Sequence, residues 1–269
     1  MTEPSQPIST QTAVNLLLSH EEVRYLLDLL QVTTLPGLED AGDDALSAAE
    51  KTLVRGVTER ALMARQLIQR QPDGTVKIHN KLVAILGACA FATDALFAYH
   101  WGNGQDLPTP AFVHSRGDGV IVHSRPAQGL HQFTRLPTAA DAVPWLMALC
   151  EIGETPPVSP VAWQMPGAVL GQVRALVQDG STQSAVDRLR PHTAEIAATA
   201  LVETLADGLR VSNLQRVARD NGGVRQTDVV VLQNQRHLWL VHQVDGGELH
   251  VRAASSVDVS AWLHAQLTA

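Results

Sequence analysis

Pro110-Ala-Phe-Val-His-Ser-Arg116, Gly117-Asp-Gly119 and Val120-Ile-Val-His-Ser-Arg125 form one continuous passage. The short run His131-Gln-Phe-Thr134 follows, then a helical pattern from Ala139 to Cys150. The C-terminal end has the same order. Asp228-Val-Val-Val-Leu232, Asn234-Gln-Arg236, His237-Leu-Trp-Leu-Val-His242, Asp245-Gly-Gly247 and Glu248-Leu-His-Val-Arg252 lead into Val257 to Leu267. Both passages read as strand, turn, strand, turn, strand, helix, roughly 118 residues apart. Gly117-Asp-Gly119 predicts a hairpin, because Gly and Asp take up the turn conformations that join antiparallel strands. Alternating polarity in the strands predicts one covered and one wet face.

Upstream of the first copy, Leu96-Phe-Ala-Tyr-His-Trp101 reads as a strand and Gly102-Asn-Gly104 as a turn. Leu214-Gln-Arg-Val-Ala-Arg219 answers that strand, and Asn221-Gly-Gly223 leads into the second copy. Ahead of the strands come helices. Residues 1–9 are polar with two prolines and read as a loose tail. After them, either Thr10 or Thr12 caps a helix carrying Val14, Leu17, Leu18, Val23, Leu26, Leu27 and Leu30, or the capping box Ser19/Glu22 starts one near His20. Residues 33–45 read as a loop. Ser47 with Glu50 caps a helix carrying Leu53, Val54, Val57, Leu62, Met63, Leu67 and Ile68. Gln71-Pro-Asp-Gly-Thr75 marks a tight turn before the short alternating run Val76 to His79, and Lys81 to Cys89 resumes helical spacing. The second half has helical patterns at Gly167–Val177, Ser181–Arg190 and Glu195–Leu209, the last carrying Ile196, Leu201, Val202 and Leu205.

The predicted fold is α+β, with two pseudo-twofold-related halves. Each has N-terminal helices, an antiparallel β-meander and a closing helix, since a sheet with one apolar face needs helices to cover it. The halves are residues 1–155, with a winged-helix-like start, and residues 167–269. Between them, residues 156–166 form a proline-rich linker (Pro156, Pro157, Pro160, Pro166) whose Val158, Val161, Trp163 and Met165 wrap over the core. The halves are expected to pack as one globular unit.

Composition bounds the function. With 45% hydrophobic and 17% charged residues the chain is globular rather than disordered. Twenty basic against 27 acidic residues, a net charge of -7, oppose general nucleic-acid binding. Residues 47–90 have the helix, strand, helix order of a winged-helix DNA-binding regulator, but the second helix, Asn80 to Ala90, is nearly neutral where a DNA-reading helix carries Lys and Arg. Cys89 and Cys150 are too few for a disulfide framework, and their apolar surroundings predict buried thiols. The opening residues form no basic-then-apolar signal, and no apolar run reaches the roughly 18 residues of a membrane span. A cytoplasmic protein with no membrane partner is expected.

Eleven histidines raise a metal hypothesis. His237 and His242 are five apart and point to opposite strand faces. His242 and His250 face each other across Gly246-Gly247, and His114 and His123 across Gly117-Asp-Gly119, but neither pair has a third ligand at metal spacing. Ser115 and Ser124 lie in no GxSxG elbow. Gly102-Asn-Gly104 and Gly117-Asp-Gly119 precede no helix and so are not phosphate cradles. Asp141 and Glu151 are too far apart for a local carboxylate pair. No catalytic residue, metal or cofactor is assigned.

Aromatic residues are more suggestive. Trp145 and Trp262 occupy matching places in the closing helices and read as packing residues. Trp101 and Trp163 border loops, and Trp239 lies on a central strand between Leu238 and Leu240. The candidate partner surface is an exposed sheet face or strand edge near Val120 to His123 and Leu238 to His242. Its residues are Trp101, Val120, Val122, Trp163, Trp239 and Val241. The copies differ most where Gly117-Asp-Gly119 is replaced by Asn234-Gln-Arg236 and where Ile121 is replaced by Leu238-Trp-Leu240.

The run Leu18-Ser-His-Glu-Glu-Val-Arg-Tyr-Leu-Leu-Asp-Leu-Leu30, the stretch Leu46 to Leu67 with Pro72-Asp-Gly-Thr75, the helix Leu82 to Leu86, the strand Leu96-Phe-Ala-Tyr-His-Trp-Gly102 and the closing hairpin with Val257 to Leu267 are, in element order, similar to the EspG family. The resemblance implies a pseudo-twofold α/β fold and the role of a cytosolic type VII secretion chaperone that binds the tip of a helical secreted substrate and keeps it soluble. The linker Pro156 to Pro166 and the histidine-rich strands have no counterpart in that resemblance.

The leading expectation is therefore a non-enzymatic protein-binding module, an adaptor or secretion chaperone for a helical partner. One alternative is a small-molecule-binding protein or enzyme with a pocket lined by His100, His114, His123 and His242. The other is a DNA-binding regulator acting through residues 47–90.

Overall fold

The computed structural model describes residues 15–38, 46–116, 119–154, 161–220 and 223–268. The N-terminal tail, the Thr10 or Thr12 cap, most of the loop after residue 38, Gly117-Asp118, the first part of the linker and Asn221-Gly222 lie outside the described residues. In the first part of the chain the elements are β1 (Asn15–Ser19), α1 (His20–Leu29), α2 (Ala48–Ala64), β2 (Ile68–Arg70), β3 (Val76–Ile78), α3 (Asn80–Ala90), β4 (Asp94–Trp101), β5 (Thr109–Arg116), β6 (Gly119–Ser124), β7 (Leu130–Leu136) and α4 (Ala142–Leu149). There follow β8 (Ala162–Pro166), α5 (Gly167–Gln178), α6 (Thr182–Leu189), α7 (Glu195–Ala206), β9 (Arg210–Asp220), β10 (Gly223–Gln233), β11 (Leu238–Gln243), β12 (Glu248–Ala253) and α8 (Ser256–Thr268). The doubled order of three strands and a closing helix is present as β5-β6-β7-α4 and β10-β11-β12-α8.

The chain forms two compact units, residues 1–91 with 116–138, and residues 92–115 with 139–269. This division differs from the expected halves at 155 and 167. β4 pairs along its whole length with β9, so the opening strand of the first meander groups with the second.

In the first unit, Ser19 settles the ambiguous start. Its hydroxyl accepts from the Glu22 amide at 3.2 Å, and the Glu22 carboxylate accepts from the Ser19 amide at 3.0 Å. That reciprocal cap fixes where α1 begins. Asn15–Ser19, just before it, is extended, so Leu17 and Leu18 belong to β1, not to a helix, and pair with Gln132 and His131 of β7. Period-two alternation then buries Leu18 and exposes Leu17. The Ser47/Glu50 box starts α2 as expected. That helix stops at Ala64, however, and Gln66 takes a φ of 57°. Ile68 therefore leaves the helix and enters β2, which pairs with β3. The core joins Leu18, Val23, Leu26, Leu62, Leu82, Leu86, Ile121 and Phe133 from both helices and strands.

In the second unit, seven strands form an antiparallel sheet in the order β5-β4-β9-β10-β11-β12-β8. β8 occupies the end of the region expected to be linker. As an edge strand it tolerates Pro166, which has no N–H to give a ladder. Its Trp163 and Met165 are buried and join Val173, Leu189, Leu201 and Val251 of the core. α5, α6 and α7 pack together, and α4 packs on α8. No helix among the described residues is long and apolar enough to cross a membrane.

Candidate functional site

Five of the six residues expected at a partner surface are buried. Val120 and Val122 lie inside on β6, and Trp239 and Val241 on β11. Trp163 packs edge-on against Trp239, ring centroids 5.5 Å apart. The Trp239 Nε1–H donates to the Thr204 hydroxyl at 2.9 Å, so even its polar atom is engaged within the chain. The stretch Leu238 to His242 offers no free edge, because β11 is paired on one side with β10 and on the other with β12. Trp101, at the end of β4, is half-buried. The structure does not gather these six into one surface.

Five of the histidines form two hydrogen-bonded groups, His20 with His131 and His123, and His242 with His250. His242 and His250 are register partners with ring nitrogens 3.0 Å apart, as expected from sequence. His123 lies 2.9 Å from His131 on β7, ring nitrogen to ring nitrogen, and His131 lies 3.3 Å from His20. Burial, together with the charges of His20 and Arg125, pushes the His131 imidazole down to about 4, with Glu21 opposing. Burial alone brings His114 to about 4 as well. Such rings are neutral at pH 7. Among the described residues no group of three or more His, Cys, Asp or Glu side chains is placed to hold a metal.

A different feature stands out in the first unit. α3 runs Asn80-Lys-Leu-Val-Ala-Ile-Leu-Gly-Ala-Cys-Ala90, with no polar side chain after Lys81. Leu82, Ile85, Leu86 and Cys89, at helical spacing, face the core. The opposite face is also apolar. Val83 is 40% exposed and Ala84 is exposed, with Gly87 and Ala88 half-buried beyond them. Phe91, 58% exposed, closes this face at the helix end. A helix that is apolar all round normally has neighbours all round. Here one side has none among the described residues.

That open side is the wall of a groove of about 860 Å³. Val83, Ala84, Gly87 and Ala88 form one wall, and Ile85 and Ile121 lie at its base. Arg116 and Arg135, both exposed, and Lys81 stand around it. Arg116 is fixed by α3 itself. Its guanidinium lies over the Phe91 ring at 5.7 Å and donates to the Gly87 carbonyl at 3.4 Å. It thereby sits at the negative end of the helix dipole. Sequence reading noted the neutral helix but missed the groove. The uninterrupted apolar run from Leu82 to Ala90 was the available signal.

A second apolar depression, of about 670 Å³, lies between β1, α1 and α2, where Leu17, Leu53 and Val57 are exposed. Glu21, Glu22 and Arg65 give its lining mixed charge.

No family model and no curated protein matches the sequence. Among solved structures, the chain is similar to the Mycobacterium tuberculosis type VII secretion system chaperone EspG5, in its complex with the PE25-PPE41 dimer. The TM-score is 0.67 at 10% sequence identity, over 93% of this chain and 95% of that one. At that identity the likeness establishes a shared α+β fold with a large antiparallel sheet.

Proposed function

We propose that this protein is a non-enzymatic protein-binding module, a cytoplasmic chaperone or adaptor that holds a helical protein partner, in the manner of a secretion chaperone. The observation that carries the reading is α3, apolar on both faces and covered on one of them by the described residues. Exposed contiguous apolar surface is costly to solubility and is characteristic of a surface that a partner covers. A groove beside a helix of 11 residues, about 16 Å long, fits three turns of a second helix. The small side chains of Ala84, Gly87 and Ala88 allow two helix axes to come within about 8 Å. Likeness in fold to a chaperone solved with a bound protein dimer supports the same reading.

The doubled topology is part of the proposal. β1 pairs with the last strand of its meander, β7, and runs directly into α1. β8 pairs with the last strand of the other meander, β12, and runs directly into α5. The opening strands β4 and β9 pair antiparallel with each other. These matches support two pseudo-twofold-related copies of one plan, of which only the first carries the α3 groove described above.

The test is affinity recovery from the source cells with wild type and with two groove variants, Val83→Asp and Ala84→Trp. The reading expects a stoichiometric protein partner with wild type and its loss with both variants, their thermal unfolding being unchanged. Retention of the partner by both folded variants would refute the groove as the binding surface.

A further inference from the structure

We infer that the α3 groove takes an acidic amphipathic helix, one whose apolar face is flanked by Asp and Glu. This rests on the protein-binding reading and specifies the chemistry of the partner. The chain as a whole carries a net charge of -7, yet the described residues lining the groove include Lys81, Arg116 and Arg135 and no carboxylate. Among the described residues, no Asp or Glu forms an ion pair with any of the three. Arg116 has a local reason for its position, at the C-terminal end of α3 and over Phe91. Arg135 has none; it is exposed on β7, opposite Ile121 of β6 in the ladder.

Lys81 goes against its local setting. It lies in the first turn of α3, where the helix dipole is positive and favours Asp or Glu, and that turn contains no acidic residue. A residue that opposes the local rule is a sign of use elsewhere. The three cations frame an apolar wall of small side chains, so a helix lying on Ala84 and Ala88 would bring flanking carboxylates toward them. Duplex DNA is the less suited occupant. Its phosphates would meet the cations, but it has nothing to bury Val83 and Phe91, and three cations are few for a duplex.

The probe is a synthetic peptide of about 18 residues, Ala- and Leu-faced with Glu at the flanking positions; an otherwise identical Lys-flanked peptide and a duplex DNA serve as comparison. The acidic peptide is expected to bind wild type, and to weaken roughly tenfold as salt rises past the point where the screening length is about 3 Å. Lys81→Glu combined with Arg135→Glu should reverse the preference in favour of the Lys-flanked peptide. Both positions are exposed, so the variant is expected to melt as wild type does. Equal binding of the two peptides, or binding indifferent to salt, overturns the inference. So does duplex binding that survives Ala84→Trp. If Ala84→Trp abolishes capture of the cellular partner while charge reversal leaves it unchanged, the charge inference fails and the protein-binding reading stands. If Ala84→Trp leaves capture intact, the groove reading itself has failed.

Discussion

Arg65 holds the Glu22 carboxylate from the end of α2. One guanidinium nitrogen donates to both carboxylate oxygens, at 2.8 and 2.7 Å, and the other donates to the Leu17 carbonyl at 2.6 Å. Glu22 is buried, so its charge depends on this partner and on the Ser19 amide. Arg65→Met is expected to cost about 2–3 kcal/mol, since it leaves a buried carboxylate without its cation. Arg65→Lys should recover only part, because an ammonium cannot serve both Glu22 and Leu17 with a planar fork. Urea unfolding measures both. A change within about 0.5 kcal/mol for Arg65→Met would show the pair to be solvated.

The tryptophan pair makes a second prediction. Trp239 gives its N–H to Thr204, whose own hydroxyl donates to the Ala200 carbonyl at 2.8 Å. Thr204→Val removes the acceptor and leaves a buried indole N–H unsatisfied, at a cost of about 1–3 kcal/mol. Adding Trp239→Phe removes the orphaned donor, so the double variant should lose less than the sum of the singles. Strict additivity in a double-mutant cycle would contradict the bond.

Stability should fall in mild acid. His131 and His114 are held near 4 in the folded chain, while an unfolded histidine titrates near 6.5. Below 6.5 the unfolded chain takes up protons that the folded one does not. The contribution of these rings is thus full above about 6.5 and lost as pH falls toward 4, on the order of 2 kcal/mol for each. His100 and His242, also pushed down mainly by burial, act in the same direction. Urea midpoints at pH 7.5 and 4.5 test this. His131→Gln, which can still hydrogen-bond but does not titrate, should show a shallower fall.

Both thiols should be inert in the native state. Burial raises Cys89 and brings Cys150 up to about 11, with the Ser212 hydrogen bond opposing the latter. Thiolate is the reactive form, and both side chains are sealed from reagent. Iodoacetamide at pH 8 should label neither until the chain is unfolded in urea, where both react. Prompt labelling of folded protein would place a thiol at the surface.

The regular parts of this fold were legible in the sequence because their causes are local. Ser19/Glu22 and Ser47/Glu50 mark helix starts by reciprocal hydrogen bonds between residues three apart. Alternation and turn residues located the strands of both meanders. What was lost had causes distant in sequence. Leu17 and Leu18 stand three and four residues after Val14, as on one helix face, and only pairing with β7 makes them a strand. Leu67 and Ile68 continue the period of α2, and the turn at Gln66 takes them out of it. β8 was hidden by Pro166 and by the three prolines that precede it in the sequence, and the β4–β9 pairing joins residues more than 100 apart. Five of the six proposed surface residues are buried because aromatic and β-branched side chains on paired strands are the ones a core takes in, while Trp101, at the end of β4, is half-buried. The α3 groove was half legible. Its apolar run is plain in the sequence, but Arg116 and Arg135 reach it only when β5 and β7 are in place.

The inert native thiols allow a direct measurement on the groove. In Val83→Cys the new thiol is the one expected to react, and Ile196→Cys, at a position 86% exposed on α7, serves as a reference. Labelling rates are compared for the free protein and for its complex with the recovered partner. The account predicts that the rate at residue 83 falls at least roughly tenfold in the complex, since a helix lying on α3 excludes reagent and water from the covered face. It predicts no change at residue 196. An unchanged rate at residue 83 in a stoichiometric complex would contradict the claim that the open face of α3 is where this protein holds its partner.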